Sequence, residues 1–266
     1  MTAGANAGPA VLVELVDHTL VVTINRPGAR NAIDHAVSRG IAGGMSRAAT
    51  DPAVRVVILT GSGNVAFCAG ADLKALAQGE SARPPELDHL GFAGYVRFPL
   101  DKPTIAAVNG YALGGGTELC LGSDLVVASR TATFGLPEVT RGLAAGGGGA
   151  LRLPRQIPPK IAMQMLFTGE QISAQQANAW GLVNLIVEPE DLRSATLDLA
   201  SRIAANAPLA VQASKRIARR AIEGPPDDHA DWESNAAEMA RVVRSKDALE
   251  GLRAFVDRRA PVWSGR

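Results

Sequence analysis

The chain has 266 residues, enough for one large domain or a domain with an appendage. Apolar residues make up 47% and the net charge is +1, which fits a globular protein with a substantial core and gives no sign of nucleic acid binding. Two cysteines, four scattered histidines and the lack of a membrane-length apolar run argue against a disulfide framework, a metal site and a membrane span. We therefore expect a cytoplasmic protein, and the residues up to Pro9 resemble a loose tail more than a signal peptide.

Runs of β-branched and aliphatic residues mark the predicted strands. The first two runs are separated only by Asp17-His18 and predict a hairpin, whereas later runs are continuously apolar, as in strands buried on both faces. In chain order the predicted strands are Val11–Val16, Thr19–Asn25, Val54–Thr60, Thr104–Val108, Leu125–Ala128 and Leu182–Val187. Strands and helices therefore alternate through the first two-thirds of the chain, a pattern typical of an α/β fold.

Helical patterns lie between these strands. Asp34 is placed to cap a helix that runs to about Ala49, because aspartate accepts hydrogen bonds from free N–H groups at a helix start. Shorter helices are predicted over Ala71–Gln78 and from near Gly115. From about Glu190 onward only helical patterning is present, so we predict a core over residues 1–200 and a helical appendage over residues 201–266.

Three segments have the composition of loops. Gly61–Gly70 and Arg141–Gly149 are rich in glycine, and Gln78–Leu87 is the best candidate for a mobile loop. The run Gly61–Ala66 formally fits a dinucleotide-binding fingerprint, but no helix starts at its end and no acidic residue follows at the required distance. Nucleotide binding is therefore a poor explanation for this loop.

Two glutamates twenty residues apart carry the strongest functional signal. Glu118 follows the glycine triplet Gly114–Gly116, and Glu138 follows the short segment Phe134–Pro137. Paired carboxylates beside free backbone N–H groups suit proton transfer next to a carbonyl that becomes an oxyanion. Either glutamate alone could be an ordinary acidic residue at a helix start, whereas the pair indicates an enzyme.

Two turns could supply the N–H groups. In Cys68–Lys74 a glycine between alanines turns the chain before a helix, which leaves the N–H of Ala71 free and lets Asp72 cap the helix. The glycine triplet does the same for the N–H of Gly115. Each turn alone could be only structural, but together they predict an oxyanion hole.

At these residues the chain resembles the enoyl-CoA hydratase/isomerase (crotonase) family. The resemblance runs almost from end to end and is specific for the family, although the family performs several reactions on one scaffold. It is carried by Asn25–Ala32, Ala66–Leu73, Lys102–Gly116, Phe134–Glu138, Thr168–Ala174, Trp180–Val183 and Ala260–Arg266.

This resemblance implies an α/β spiral of repeated ββα units, forming two roughly perpendicular sheets, with a C-terminal helical region for trimerisation. It implies a homotrimer or a hexamer made of two trimers. It also implies a coenzyme A thioester as substrate, so that no separate cofactor is expected. A 2-enoyl-CoA hydratase is the favoured activity, because both glutamates are present.

The resemblance also implies roles for individual residues. Ala71 and Gly115 would bind the thioester oxygen, Glu118 and Glu138 would activate water and move protons, and Gly146 would help to place the water. Contacts with coenzyme A are expected from Arg26, Ala29, Arg30, Ala69, Asp72, Leu73, Lys74, Phe255 and Arg258. For Arg258 a solvated helix face is an equally good explanation.

Other functions stay open. Ala145 stands where many hydratases have proline, and the tail over residues 245–266 resembles that of carnitinyl-CoA dehydratase relatives. A specialised enoyl-CoA dehydratase or a double-bond isomerase would use the same scaffold, although two glutamates argue against an isomerase. A non-catalytic acyl-CoA-binding protein would be expected to have a degraded site, and the key positions here are intact.

Overall fold

A computed structural model describes residues 8–79, 82–224 and 228–266. Its strands are β1 Val11–Val16, β2 Thr19–Ile24, β3 Val56–Gly61, β4 Ala66–Cys68, β5 Thr104–Val108, β6 Tyr111–Leu113, β7 Leu125–Ser129, β8 Thr133–Gly135, β9 Gln171–Ser173 and β10 Leu185–Val187. Its α-helices are α1 His35–Thr50, α2 Leu73–Ala77, α3 Gly115–Gly122, α4 Gly149–Gln156, α5 Pro159–Thr168, α6 Ala174–Ala179, α7 Leu192–Ala204, α8 Pro208–Glu223, α9 Asp228–Val243 and α10 Lys246–Asp257.

The strands form two sheets. The larger has the order β1-β2-β3-β5-β7-β10, in which β1 and β2 are antiparallel and the other neighbours are parallel. The smaller has the order β4-β6-β8-β9, and only its β8–β9 pair is antiparallel. The chain thus alternates between the sheets, which agrees with the expected α/β architecture of repeated strand–strand–helix units.

Both faces of the larger sheet are buried at its inner strands. On β2, Leu20 and Val22 enter the main core while Val21 joins a second core on the opposite face. On β3, Leu59 and Ile58 divide in the same way. Because successive side chains alternate between faces, a strand covered on both sides must be apolar throughout, which explains the continuous runs in the sequence.

Several predicted elements are confirmed. The hairpin forms, with its second strand ending at Ile24, one residue before the predicted Asn25, and the N–H of Val37 donates to Asp34 Oδ1 at 2.9 Å, as a capping aspartate at the start of α1 requires. In contrast, four three-residue strands of the smaller sheet were missed (β4, β6, β8 and β9). Three residues are too few to show a hydrophobic period, so only pairing with neighbours defines these strands.

Two predicted segments include residues outside the described part, and the predicted domain boundary falls inside a helix. The segment Gln78–Leu87 includes two residues outside the described part, and its end forms a 3₁₀ helix over Pro85–Leu90. Residues 1–7 of the predicted tail are also outside the described part. The predicted domain boundary near residue 200 falls inside α7, which packs on β3, β5 and β7, and the division into two units remains a prediction.

Ion pairs attach the C-terminal helices to this core. Lys215 and Arg219 of α8 both contact the carboxylate of Asp124, with N–O distances of 2.8 Å. Thr104 donates its N–H and its hydroxyl to the same carboxylate. Although burial opposes it, the charges of Lys215 and Arg219 hold the pKa of Asp124 below its ordinary value. Helix α8 is therefore joined to the core through a half-buried carboxylate, both oxygens of which bind partners.

Among the described residues, no helix combines the length and the apolarity that crossing a membrane requires. In the same part of the chain, we find no group of three or more His, Cys, Asp or Glu side chains that could hold a metal ion.

Helix α1 offers a test of how it packs on β1. A Cβ added at Gly43 meets nothing within 4 Å, whereas one added at Gly40 would lie 2.7 Å from the side chain of Val11. Alanine is about 1 kcal/mol more favourable than glycine inside a helix. Gly43→Ala should therefore raise the melting temperature, while Gly40→Ala should not. Equal stabilisation by both, measured by calorimetry, would contradict this packing.

Candidate active site

The loop before α2 is held by backbone hydrogen bonds to the segment after β2. The N–H of Ile33 donates to the carbonyl of Gly70 at 2.8 Å, and the N–H of Asp72 donates to the carbonyl of Ile33 at 2.9 Å. In a trans peptide the C=O and the next N–H point in opposite directions, so the N–H of Ala71 points away from Ile33. Within the described residues this N–H donates to no other group.

A second turn brings the start of α3 to the same place. Gly115 is the first residue of α3, so its N–H has no acceptor within the helix. A Cβ on Gly70 would lie 3.2 Å from the nitrogen of Gly115, which shows how closely the two turns approach. A Cβ on Gly116 would overlap the carbonyl oxygen of Cys68, so the approach requires glycine there.

Glu118 lies in the first turn of α3 and is 3% exposed. Its Oε1 accepts a hydrogen bond of 2.9 Å from the N–H of Gly149. A Cβ on Gly147 would overlap the other oxygen, Oε2. The glycine-rich turn before α4 therefore closes around this carboxylate without leaving room for a side chain.

Glu138 reaches the same region from β8. Leu113 on β6 and Gly135 on β8 are paired in parallel, so the chain leaves both strands at the same edge of the sheet. Oε1 of Glu138 lies close to Gly114, only 3.1 Å from where a Cβ on that glycine would be. Its Oε2 is buried, and within the described residues it has no hydrogen-bond partner.

Burial shifts both carboxylates toward the protonated form. Burial raises the pKa of Glu118 from 4.5 to about 7; the hydrogen bond from Gly149 opposes the shift and the charge of Glu138 adds to it. Burial also raises the pKa of Glu138. Two neighbouring carboxylates with raised pKa values can hold one proton near neutral pH, and their titrations are then coupled.

This shift predicts a pH-dependent stability. Since the pKa of Glu118 is higher in the folded chain, the folded state binds more protons between pH 4.5 and 7, and stability falls as pH rises through this window. Glu118→Gln removes this titration. The free energy of unfolding of the variant, relative to that of the wild type, should therefore rise from pH 5 to pH 8, by about 3 kcal/mol at most. Thermal unfolding at both pH values measures it, and a parallel pH dependence of the two proteins would contradict it.

The residues expected to contact coenzyme A from the first half of the chain form two adjoining segments. The N–H of Ala69 donates to the carbonyl of Arg30 at 3.1 Å, which joins the segment containing Arg26, Ala29 and Arg30 to the loop before α2. Arg30, Leu73 and Lys74 have exposed side chains. Two members also make contacts within the chain: Asp72 caps α2, and Arg26 forms ion pairs with Asp34 and Asp72.

The other predicted positions divide into two groups. Gly146 is exposed and directly precedes Gly147, so it borders the Glu118 carboxylate. Phe255 and Arg258 lie on and after α10, where Phe255 is 84% exposed. Within the described residues no hydrogen bond or ion pair joins either of them to the glutamates or the two turns. Their role in binding coenzyme A stays a prediction.

The sequence interpretation missed Phe92 as a site residue. Its ring would overlap a Cβ on Gly115, and its own Cβ lies 3.0 Å from the position of a Cβ on Gly147. Phe92 is thus a buried wall between the oxyanion turn and the glycine-rich turn. No local signal marks it, because its place depends on tertiary packing of a 3₁₀ segment, Phe92–Gly94.

Comparisons with known proteins agree with this geometry. Residues 16–266 match the enoyl-CoA hydratase/isomerase family model. A carnitinyl-CoA dehydratase of Salmonella typhi is 44% identical over 252 residues, which cover 93% of this chain and 95% of that protein.

Solved structures are similar over the same range. An enoyl-CoA hydratase from Mycobacterium tuberculosis H37Rv has a TM-score of 0.92 and 47% identity, covering 97% of this chain and 100% of that one. A carnitinyl-CoA dehydratase from Mycobacterium avium 104 has a TM-score of 0.79 and 53% identity, with the same coverage. On the evidence of the match over residues 16–266 and of relatives 44% to 53% identical over nearly the whole chain, the chain belongs to the enoyl-CoA hydratase/isomerase family.

Proposed function

We propose that this chain is a hydro-lyase that reversibly adds water across the 2,3-double bond of a 2-enoyl-CoA thioester, giving a 3-hydroxyacyl-CoA. The observation that carries the proposal is that two free N–H groups, of Ala71 and Gly115, lie beside two carboxylates of raised pKa, the buried Glu118 and the half-buried Glu138. Family membership supports the same reaction class.

The two N–H groups would stabilise the charge that develops during the reaction. When the oxygen of water attacks C3 of the thioester, the electrons of the double bond move toward the carbonyl, and its oxygen becomes an enolate oxyanion. Preorganised donors aimed at such an oxygen are typically worth about 2.7–4 kcal/mol each in barrier height. Because the turns are fixed by backbone bonding, they need little rearrangement at that moment.

The glutamates would carry the protons. Glu118 in its ionised form accepts a proton from the attacking water, and Glu138 in its protonated form delivers its proton to C2. One proton is thus taken and one is given, so the product gains one molecule of water. Burial raises the pKa of Glu138, which favours the protonated form that this step requires.

Recognition of coenzyme A would use residues around the two turns. The exposed Arg30 and Lys74 would supply positive charge for phosphate groups, and Ala29, Ala69 and Leu73 would contact the remainder of coenzyme A. We expect Phe255 and Arg258 to contact the nucleotide bound by a neighbouring subunit. This expectation depends on assembly as a homotrimer or hexamer, which sedimentation would test.

A second candidate substrate is carnitinyl-CoA. Relatives named carnitinyl-CoA dehydratase are 44% and 53% identical to this chain. Removal of water from carnitinyl-CoA, a 3-hydroxyacyl thioester, is the reverse of the hydration above and would use the same groups. The two candidates therefore differ in the acyl group and not in the chemistry.

Product analysis on a small panel of thioesters tests the proposal. The purified protein is mixed with crotonyl-CoA and with carnitinyl-CoA, and ultraviolet absorbance of the conjugated thioester is followed with mass analysis of products. We expect the absorbance of the conjugated thioester to fall with crotonyl-CoA or to rise with carnitinyl-CoA. Neither change should occur with Glu118→Gln. Binding of both thioesters without turnover would contradict an enzymatic role on short acyl groups.

A further inference from the structure

The guanidinium of Arg26, which follows β2, makes three polar contacts with the chain itself. Its Nη1 donates to the carbonyl of Ala32 at 2.8 Å and lies 3.1 Å from Oδ2 of Asp34. Its Nη2 donates to Oδ2 of Asp72 at 3.0 Å. The guanidinium therefore spans the two capping aspartates of α1 and α2, and only 23% of its side chain is exposed.

Asp72 is fixed on every side by these bonds. Its Oδ1 caps α2 by accepting from the N–H groups of Lys74 and Ala75, at 3.1 and 3.4 Å. Its own N–H donates to the carbonyl of Ile33. Although partial burial opposes it, the hydrogen bond from Arg26 holds the pKa of Asp72 below its ordinary value. Asp72 is therefore an anion near neutral pH, and Arg26 is its counter-charge.

The residue next to Asp72 is Ala71, which carries the oxyanion N–H of the proposed reaction. The direction of that N–H is set by the bonds of Gly70 and Asp72 to Ile33, one on each side of it. Gly70 has a φ of +90°, and a glycine can adopt many other backbone conformations. It therefore does little to keep the loop in this conformation if these bonds loosen. The ion pair between Arg26 and Asp72 is the side-chain bond that keeps this loop against the Arg26–Asp34 segment.

We propose that Arg26 is a positioning residue that holds the Ala71 N–H in place, and not a ligand of coenzyme A. Both of its terminal nitrogens already contact acceptors of the chain, on Ala32, Asp34 and Asp72, so a phosphate would have to compete with these three contacts. The inference rests on the proposed function, since the N–H direction matters only where an oxyanion forms.

The two roles predict different kinetics. A ligand of coenzyme A binds substrate and transition state alike, so its loss raises KM and leaves kcat nearly unchanged. A positioning residue acts on the transition state, so its loss lowers kcat while the thioester still binds. A misplacement of about 1 Å near a reacting centre can cost about a hundredfold in rate.

The test compares Arg26→Met with Arg216→Met, a matched control outside the site. Arg216 also joins two carboxylates, those of Asp101 and Glu238, and its side chain is 26% exposed. We expect Arg26→Met to lower kcat by about 10- to 100-fold, with an unchanged Kd for butyryl-CoA by calorimetry. Arg216→Met should retain wild-type kcat. A raised Kd with normal kcat in Arg26→Met would overturn the proposal.

Asp72→Asn keeps the test decisive if Arg26→Met does not fold, because asparagine caps helices as well as aspartate does. It should show the same loss of kcat, and normal turnover would overturn the proposal. When Arg26→Met folds, adding Asp72→Asn to it should cost little more, as expected for two residues acting through one contact.

Hydrogen exchange separates this proposal from the proposed function. Arg26→Met should speed exchange at the N–H groups of Asp72 and Ala75 by about tenfold or more, and Arg216→Met should not. A wild-type protein that binds thioesters but never hydrates them would refute the proposed function. Unchanged exchange in Arg26→Met would refute the positioning role whatever the activity.

Discussion

Glu138→Gln should lower kcat by about 10²- to 10⁴-fold, the usual contribution of a positioned general acid or base. Glutamine has the shape of glutamate but cannot deliver a proton to C2. Oε2 of Glu138 is buried and has no hydrogen-bond partner in the described part of the chain, so no protein group there competes with the substrate for it. Steady-state kinetics with crotonyl-CoA, together with the Kd of butyryl-CoA, would measure the effect.

The control for this variant is Glu188→Gln. Glu188 is an exposed carboxylate that pairs with Arg130 at 2.6 Å, away from the glutamate pair. It should turn over like the wild type, and both variants should bind butyryl-CoA normally. Near-normal turnover by Glu138→Gln would show that this carboxylate moves no proton in the slow step.

Gly147→Ala is expected to have the second-largest effect, although it leaves every proposed acid, base and oxyanion donor in place. A Cβ at this position would overlap Oε2 of Glu118 and lie 3.0 Å from Cβ of Phe92. The carboxylate is buried and held by the N–H of Gly149, so it can move only by breaking that bond. We expect a loss in kcat of about a hundredfold, the scale of a misplacement of about 1 Å.

The neighbouring glycine provides the comparison. A Cβ on Gly146 would meet only the carbonyl oxygen of Ala144, at an ordinary 3.7 Å, and the N–H of residue 146 would be kept. Gly146→Ala should therefore lose far less activity than Gly147→Ala. Circular dichroism would first show that both variants fold. Equal losses of activity would then mean that loop mobility, and not contact with Glu118, explains the effect of substitutions in this turn.

The accuracy of the sequence-based predictions depends on how many residues each element spans. The long buried strands and α1 with its Asp34 cap were predictable, because continuous apolar runs and capping residues depend mainly on the local sequence. The smaller sheet was not, since its strands have three residues and exist only by pairing. Family membership came from motifs and is confirmed by the comparisons.

The site residues also differ in how well the sequence predicts them. Glycines beside Glu118 and Glu138 in the sequence point to close backbone approach, and the structure brings Ala71, Gly115 and the two carboxylates together, while their roles remain proposals. The contribution of Phe92 could not be predicted, because it comes from a segment that is distant in sequence. The ion pairs of Arg26 could not be predicted either, because the two capping aspartates become its partners only after folding.

Hydration in ¹⁸O-labelled water tests the central claim most directly. The protein is incubated with crotonyl-CoA in labelled water, and the thioester product is analysed by mass spectrometry, with Glu118→Gln in parallel. The proposed mechanism predicts a 3-hydroxyacyl-CoA that carries the label at C3, formed by wild type and not by the variant. An unlabelled product with a shifted double bond, or labelled product formed equally by both proteins, would contradict it.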